Sequence, residues 1–335
     1  MSSFVSRRKE SKLPSLLRKL KKFLLVPFVL ALAFVLVGCG GQSGQAQSAD
    51  GTTTVRVGTI PIDAEAQVFY AKDRGFFEDV GLNVEVQSIT NGAAIVSAVQ
   101  SGSLDIGCSN VVSVATAIER GLPLNLVAPG AVYSSEAPST ALMVAKDSPI
   151  QSAADLNGKV VAVNGLKNIT EVGARAWIDE NGGDASSVRF IELPFPQMGA
   201  ALAEGRADAA VVAEPALTQA SGDARVLGDA YSAVADEFLI TAYFSTSDWA
   251  EQNPEVADKF AQAIQEAGKW ANDNPEESAK ILEKYTEISA ETANGMTRAV
   301  NAETFDPALV QPPLDSAGRF DVLKSPPDAS ELVPE

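Results

Sequence analysis

The sequence predicts an α/β protein built as two similar lobes, and three observations carry that reading. Short apolar strands alternate with helices of about ten residues, the mark of βαβ units and a largely parallel sheet. A phrase of helix, glycine, aspartate, apolar strand and polar end is written twice, as "AVQSGSLDIGCSN" (98–110) and "ALAEGRADAAVVAEP" (201–215). The chain beyond about 245 reads as wholly helical and has no second sheet of its own to cover, so it has to return to the first lobe.

The first series opens with "TTVRVGTIP", in which Val55 and Val57 alternate with polar residues and Pro61 stops the strand. Ala66, Phe69, Tyr70, Phe76 and Phe77 follow at helical spacing. A strand over 82–89 leads to Asn91-Gly92, which starts a helix ending at Gly102. Strand 104–108, helix "SVATAIERG" closed by Gly121, and strand "LNLVAPG" complete the series. The second begins where Ser152 and Asp155 form a capping box. "KVVAVNG" is its first strand, "NITEVGARAWIDENGG" its first helix and "SVRFIELP" its second strand; "QMGAALAEG", "ADAAVVAE" and "ARVLGDA" finish it. Strand "EFLITAYFST" then enters the tail, where Asn253-Pro254 and Asn274-Pro275 each place a cap before a first-turn proline. From Pro312 the pattern thins and predicts a loose surface strap. Two chain crossings are expected, near 140–146 and 238–246, dividing the body into 53–142 with 245–335 and 143–244. Ligands of open sheets bind beyond the carboxyl ends of the strands, which places 59–63, 109–110, 164–170 and 213–216 around one cleft.

Composition bounds the chemistry. The 335 residues contain no histidine, which removes Ser-His-Asp and Cys-His catalysis and the usual zinc sites. No metal or cofactor is implied, and no phosphate-cradling G-x-x-x-x-G-K-[ST] is present. The net charge of −17 conceals two regions: residues 1–38 hold eight Lys/Arg and one acid, and the rest is strongly acidic. Such a body is repelled by nucleic acid.

The basic start runs into an apolar stretch from Phe23 to Val37. As a helix it spans about 22 Å, short of the roughly 30 Å bilayer core, so residues 1–38 read as a secretory signal peptide. Leu36-Val37-Gly38-Cys39 is similar to a bacterial lipobox, making Cys39 the lipidated residue and 39–52 a polar tether to the membrane. The remaining cysteine, Cys108, sits in an apolar strand and reads as a small buried hydrophobe.

The phrases "VGTIPIDAEAQVFYAKDRGFFEDVGLNVEV", "NGAAIVSAVQSGSLDIGCSN", "DLNGKVVAVNGLKNITE" and "ALAEGRADAAVVAEP" occur in an order that resembles the solute-binding lipoproteins of ABC importers in the nitrate/sulfonate/taurine group, which includes binders of thiamine-pyrimidine precursors. The resemblance covers about half the chain. It implies a type II periplasmic-binding-protein fold, two α/β lobes that close on a small solute and hand it to a membrane permease driven by a separate ATPase, and a monomeric receptor. An enzyme on the same fold is the rival from another class, but the pyrimidine-synthesising relatives use histidine, which this chain lacks. A solute sensor without transport is a third reading.

Candidate ligand residues follow from the strand ends. Asn164 to Glu171 puts a helix N-terminus at the cleft, suited to a carboxylate, sulfonate or nitrate. There Asn168 and Thr170 either add donors or only cap the helix, and Lys167 reads as solvated. Ser109 and Asn110 belong to the pocket in the resemblance, or else simply cap the next helix. Glu214 either meets a ligand donor or the opposite lobe, or is a first-turn acid. Ile62, Gln67, Tyr133 and Phe195 complete the set. The pair Asp63/Glu65 reads as a solvated helix start.

Overall fold

The computed structural model describes residues 52–286 and 288–334. The expected signal peptide, Cys39 and all but the last residue of the tether lie outside the described residues.

The first series forms β1 (Thr53–Thr59), α1 (Gln67–Arg74), α2 (Phe76–Asp79), β2 (Leu82–Ser88), α3 (Gly92–Gln100), β3 (Ile106–Asn110), α4 (Val111–Glu119) and β4 (Leu124–Pro129). Strand β5 (Ala131–Ser134) leads out of it. The second series follows as β6 (Thr140–Ala145), β7 (Val160–Val163), α5 (Ile169–Glu180), β8 (Arg189–Glu192), α6 (Phe195–Ala203), β9 (Ala209–Ala213), α7 (Ala216–Ala220) and β10 (Ala224–Gly228). Strand β11 (Glu237–Leu239) leads back to β12 (Thr241–Thr246). The tail contains α8 (Ser247–Gln252), α9 (Pro254–Asp273), α10 (Pro275–Tyr285), α11 (Ala290–Gly295), β13 (Val300–Asn301) and α12 (Pro307–Arg319).

Two five-stranded sheets share one plan. The first runs β2-β1-β3-β12-β4 and the second β8-β7-β9-β6-β10. In each, the first three strands pair parallel and the fourth is antiparallel to both neighbours. The sheets are therefore less parallel than the strand–helix alternation predicts. The physical reason is the double crossing: β6 has just arrived from the first series and β12 from the second, so each enters its new sheet against the local direction. The crossings themselves are β5 and β11, which pair with one another, and β13 adds a third strand on β5. Gly130 makes this possible, since a Cβ there would stand 2.3 Å from the Thr241 hydroxyl.

The repeated phrase does the same work in both sheets. Gly102 and Gly205 close their helices at φ +72° and +68°, the left-handed region that favours glycine. Asp105 and Asp208 then tie the strand that follows to the first strand of its sheet. The Arg56 amide donates to Asp105 at 2.8 Å and the Val160 amide to Asp208 at 2.9 Å.

The first sheet buries Val55, Val57, Ile106, Cys108 and Tyr243 against the tail. On α9, Phe260, Ala263, Ile264, Ala267 and Ala271 are buried at the spacing of one helical face. The expected strap from Pro312 is instead the body of α12. Asp306 caps it, Pro307 opens it, and Val310, Leu314 and Ala317 are fully buried although Pro312 and Pro313 lie inside the helix. Burial of those side chains, about 1.5–3 kcal/mol for each of the larger two, offsets the backbone hydrogen bonds that the prolines forgo.

Candidate functional site

The carboxyl ends of both sheets meet around two cavities. An outer one of about 350 Å³ is lined by Ile60, Pro61, Ile62, Pro194, Phe195, Pro196, Pro215, Tyr285 and neighbours, mostly apolar. An inner one of about 30 Å³ is lined by Glu65, Asn110, Thr140, Asn164, Thr170, Tyr231, Thr241 and apolar neighbours. Ile60, Ile62 and Phe195 line both and so form the wall between them.

Hydrogen bonds across the sheets close the site. The Asp63 amide donates to the Glu214 carbonyl at 3.2 Å, and the Ile169 amide to Asn110 Oδ1 at 3.4 Å. The polar ends of the two repeated phrases, Asn110 and Glu214, thus each touch the first loop of the opposite sheet. Nearer the surface, Asn91 Nδ2 donates to Glu192 at 3.1 Å.

The loop expected to hold an anion is satisfied from within. Asn168 Oδ1 accepts from the amides of Thr170 (3.0 Å) and Glu171 (3.3 Å), and the Lys167 amide donates to Glu171 at 2.8 Å. The Leu166 amide points to Glu192, and the Ile169 amide is the one already spent on Asn110. Lys167 is exposed, with φ +57°. Asn164 Oδ1 accepts from Asn168 Nδ2 (2.8 Å) and Thr170 Oγ1 (3.0 Å), so these three residues form one network, of which Asn164 and Thr170 reach the chamber.

The other candidates are dispersed. Ser109 is fully buried, its hydroxyl has no partner among the described residues, and it faces Gly92, where a Cβ would come within 2.1 Å. Glu214 turns its carboxylate to the Thr218 amide (3.0 Å) and hydroxyl (2.8 Å); burial raises its pKa against those bonds. Gln67 lies deeper, donating to Asn301 at 2.7 Å and accepting from the Tyr243 hydroxyl at 3.2 Å. Tyr133 lies at the crossing, packed with Tyr231 and Phe238 and donating to Asp229. Gln67 and Tyr133 line neither cavity.

Asp63 and Glu65 are not solvated, contrary to the sequence reading. Asp63 accepts from Arg298 Nε (2.9 Å) and the Ala299 amide (2.6 Å). Glu65 is 1% exposed; its Oε2 accepts from the Thr59 hydroxyl (2.9 Å) and the Ile60 amide (2.6 Å). Burial outweighs those two bonds and pushes its pKa up to about 8. Cys108, also fully buried, has its thiol pushed well up by desolvation. A carboxylate three residues past Ile62 and directly ahead of the mostly apolar run Ala66–Ala71 was the available signal for Glu65. Thr140, Tyr231 and Thr241 carried none, because they reach the site from the crossings.

A family model described as "NMT1/THI5 like" matches residues 64–278. A formylaminopyrimidine-binding protein of Halalkalibacterium halodurans is 28% identical over 192 residues, 57% of this chain and 56% of that protein, so the match spans little more than half of that relative. The taurine-binding periplasmic protein of Escherichia coli is 29% identical over 240 residues, 71% of this chain and 69% of that one. The crystal structure of the periplasmic aliphatic sulphonate binding protein of Escherichia coli superposes with a TM-score of 0.67 at 20% identity, covering 84% of this chain and 97% of that one. The α/β architecture of twin sheets with two crossings is therefore the periplasmic-binding-protein fold, and the chain belongs to the NMT1/THI5-like family.

Proposed function

We propose that the chain is an extracytoplasmic, non-catalytic solute receptor for an ABC importer. The lobes are the two sheets with their helices, the hinge is the pair β5/β11, and closure buries a small solute between the strand ends. The closed form then docks on a membrane permease powered by a separate ATPase, with the chain acting as a monomer, exported by residues 1–38 and held to the membrane through Cys39. The carrying observation is the chamber enclosed by Asp63–Glu214 and Ile169–Asn110, since hydrogen bonds between lobes that surround a polar cavity are what a ligand-gated closure requires. The named relatives are binding proteins, and their ligands set the solutes to try: taurine, aliphatic sulfonates and formylaminopyrimidine. Nitrate belongs in the same panel.

The test is thermal unfolding of the protein with each solute, followed by small-angle scattering. A solute at 100 times its dissociation constant adds about 2.7 kcal/mol to the native state, and the same solute should reduce the radius of gyration. Stabilisation without compaction would defeat the closing mechanism.

A further inference from the structure

We propose that the end of the chain is a brace that holds the two lobes closed from outside the cleft. Helix α12 and the segment after it tie α4 of the first lobe to α5 of the second, and so set how far the closed arrangement is populated before any solute arrives. The inference rests on the receptor reading, since it concerns the closure which that reading requires.

Helices α4 and α5 start side by side at the cleft. Asn110 caps α4, and its Oδ1 also accepts from the amide of Ile169, the first residue of α5. Their far ends, Glu119 and Glu180, are gripped by one short stretch of the tail. Arg319 Nη1, at the end of α12, donates to Glu180 Oε1 at 3.0 Å. The amides of Lys324 and Ser325 donate to Glu119 Oε1 at 2.6 and 2.7 Å. Between these grips α12 packs on α4, on α5 and on the crossing strand β11. The stretch beyond α12 is itself fixed to the helix. The Ala329 amide donates to Gln311 at 2.8 Å, and Pro326 covers Gly318, where a Cβ would stand 2.4 Å from its ring.

Parting the lobes at the cleft turns α4 relative to α5, and a helix packed on both then loses contact with one of them. What is lost is apolar burial: Val310, Leu314, Ala317 and Leu323 are at most 1% exposed. The cleft itself is closed by the hydrogen bonds Asp63–Glu214, Ile169–Asn110 and Asn91–Glu192, at 3.1 to 3.4 Å. Apolar burial contributes more to such an equilibrium than a few bonds that water replaces on opening. The ion pair to Glu180 is about half exposed on both sides and orients the brace more than it stabilises it.

The amides of Asp63 and Ile169 report closure directly, because the acceptor of each lies in the opposite lobe. Hydrogen exchange of the full chain, followed by NMR without added solute, should show both protected. Leu314→Ala should speed both about tenfold or more, less than the full cost of truncating a buried leucine. Phe260→Leu is the control: it truncates the core of α9 in the same tail, away from α5, and should leave the two amides unchanged. A cooperative melt of each variant establishes that it folds. Arg319→Ala lies on the surface and keeps the test open should Leu314→Ala not fold; it should speed both amides about twofold. Free exchange of either amide in the parent overturns the brace. So does unchanged or slower exchange in the α12 variants, or an equal effect of Phe260→Leu. No solute enters the measurement, so silence from a solute panel counts against the receptor alone, and a failed brace leaves the receptor standing.

Discussion

Glu65 is the residue where the physics is most exposed to measurement. Its pKa of about 8 in the fold, against an ordinary 4.5, means that the native state keeps a proton the unfolded chain has released. Stability should therefore fall as pH rises from about 4.5 to 8, by up to about 1.4 kcal/mol per pH unit. Glu65→Gln imitates the protonated acid, so the difference in unfolding free energy between parent and variant should grow steadily in the variant's favour across that window. Urea unfolding at pH 5, 6, 7 and 8 measures it, and parallel pH profiles would show that the carboxyl is ionised in the fold. Asn168 gives a second residue-scale expectation. Its Oδ1 satisfies the amides of both Thr170 and Glu171, so Asn168→Ala should cost about 1–2 kcal/mol of stability. The mutation should act on folding first, since the residue lines neither cavity.

At the scale of elements, strand and helix order was legible because hydrophobic period and glycine punctuation are local. The capping box at Ser152 is present, with Asp155 accepting from the Ser152 amide and hydroxyl, each at 2.9 Å. The twice-written phrase was readable as repetition, but the task of Asp105 and Asp208 was not, since each partner lies about fifty residues upstream. If that task is shared, Asp105→Ala and Asp208→Ala should each lower stability by about 1–3 kcal/mol by leaving a strand amide unpaired. Arg56 also pairs with Asp105 at 2.7 Å, yet it is partly exposed and such a pair adds little. The two losses should therefore be similar, and chemical denaturation of both variants measures them. Helix α12 was not legible: tandem proline is a local stop signal, and only contact with β11, α4 and α5 rescues it. Glu65 was missed for a related reason. A short acidic stretch at a strand end looks alike whether it faces water or an enclosed cavity, and the residues that share the cavity with Glu65, among them Thr140, Asn164, Thr170 and Thr241, lie far along the chain.

At the scale of the molecule, the crossings decide how a change outside the chamber reaches the solute. Tyr133 on β5 donates to Asp229, which follows the last strand of the second sheet and also accepts from the Tyr231 amide at 3.1 Å. The ring is packed at 5.1 Å from Phe238 on β11 and 5.6 Å from Tyr231. Tyr133→Phe keeps the ring and removes one buried bond to a carboxylate, worth about 1.5–3 kcal/mol. Tyr133 lines neither cavity and reaches the chamber only through Tyr231, whose ring contact the variant keeps, so the variant should not tell one solute from another. It acts only on the balance of open and closed forms, and the affinity of every solute is scaled by the same closed fraction. Glu65→Gln acts inside the chamber and should change affinities unequally. Titrating two chemically different bound solutes against both variants separates the cases: a common factor for Tyr133→Phe and unequal factors for Glu65→Gln. Unequal factors for Tyr133→Phe would mean that the crossing shapes the chamber as well as the hinge.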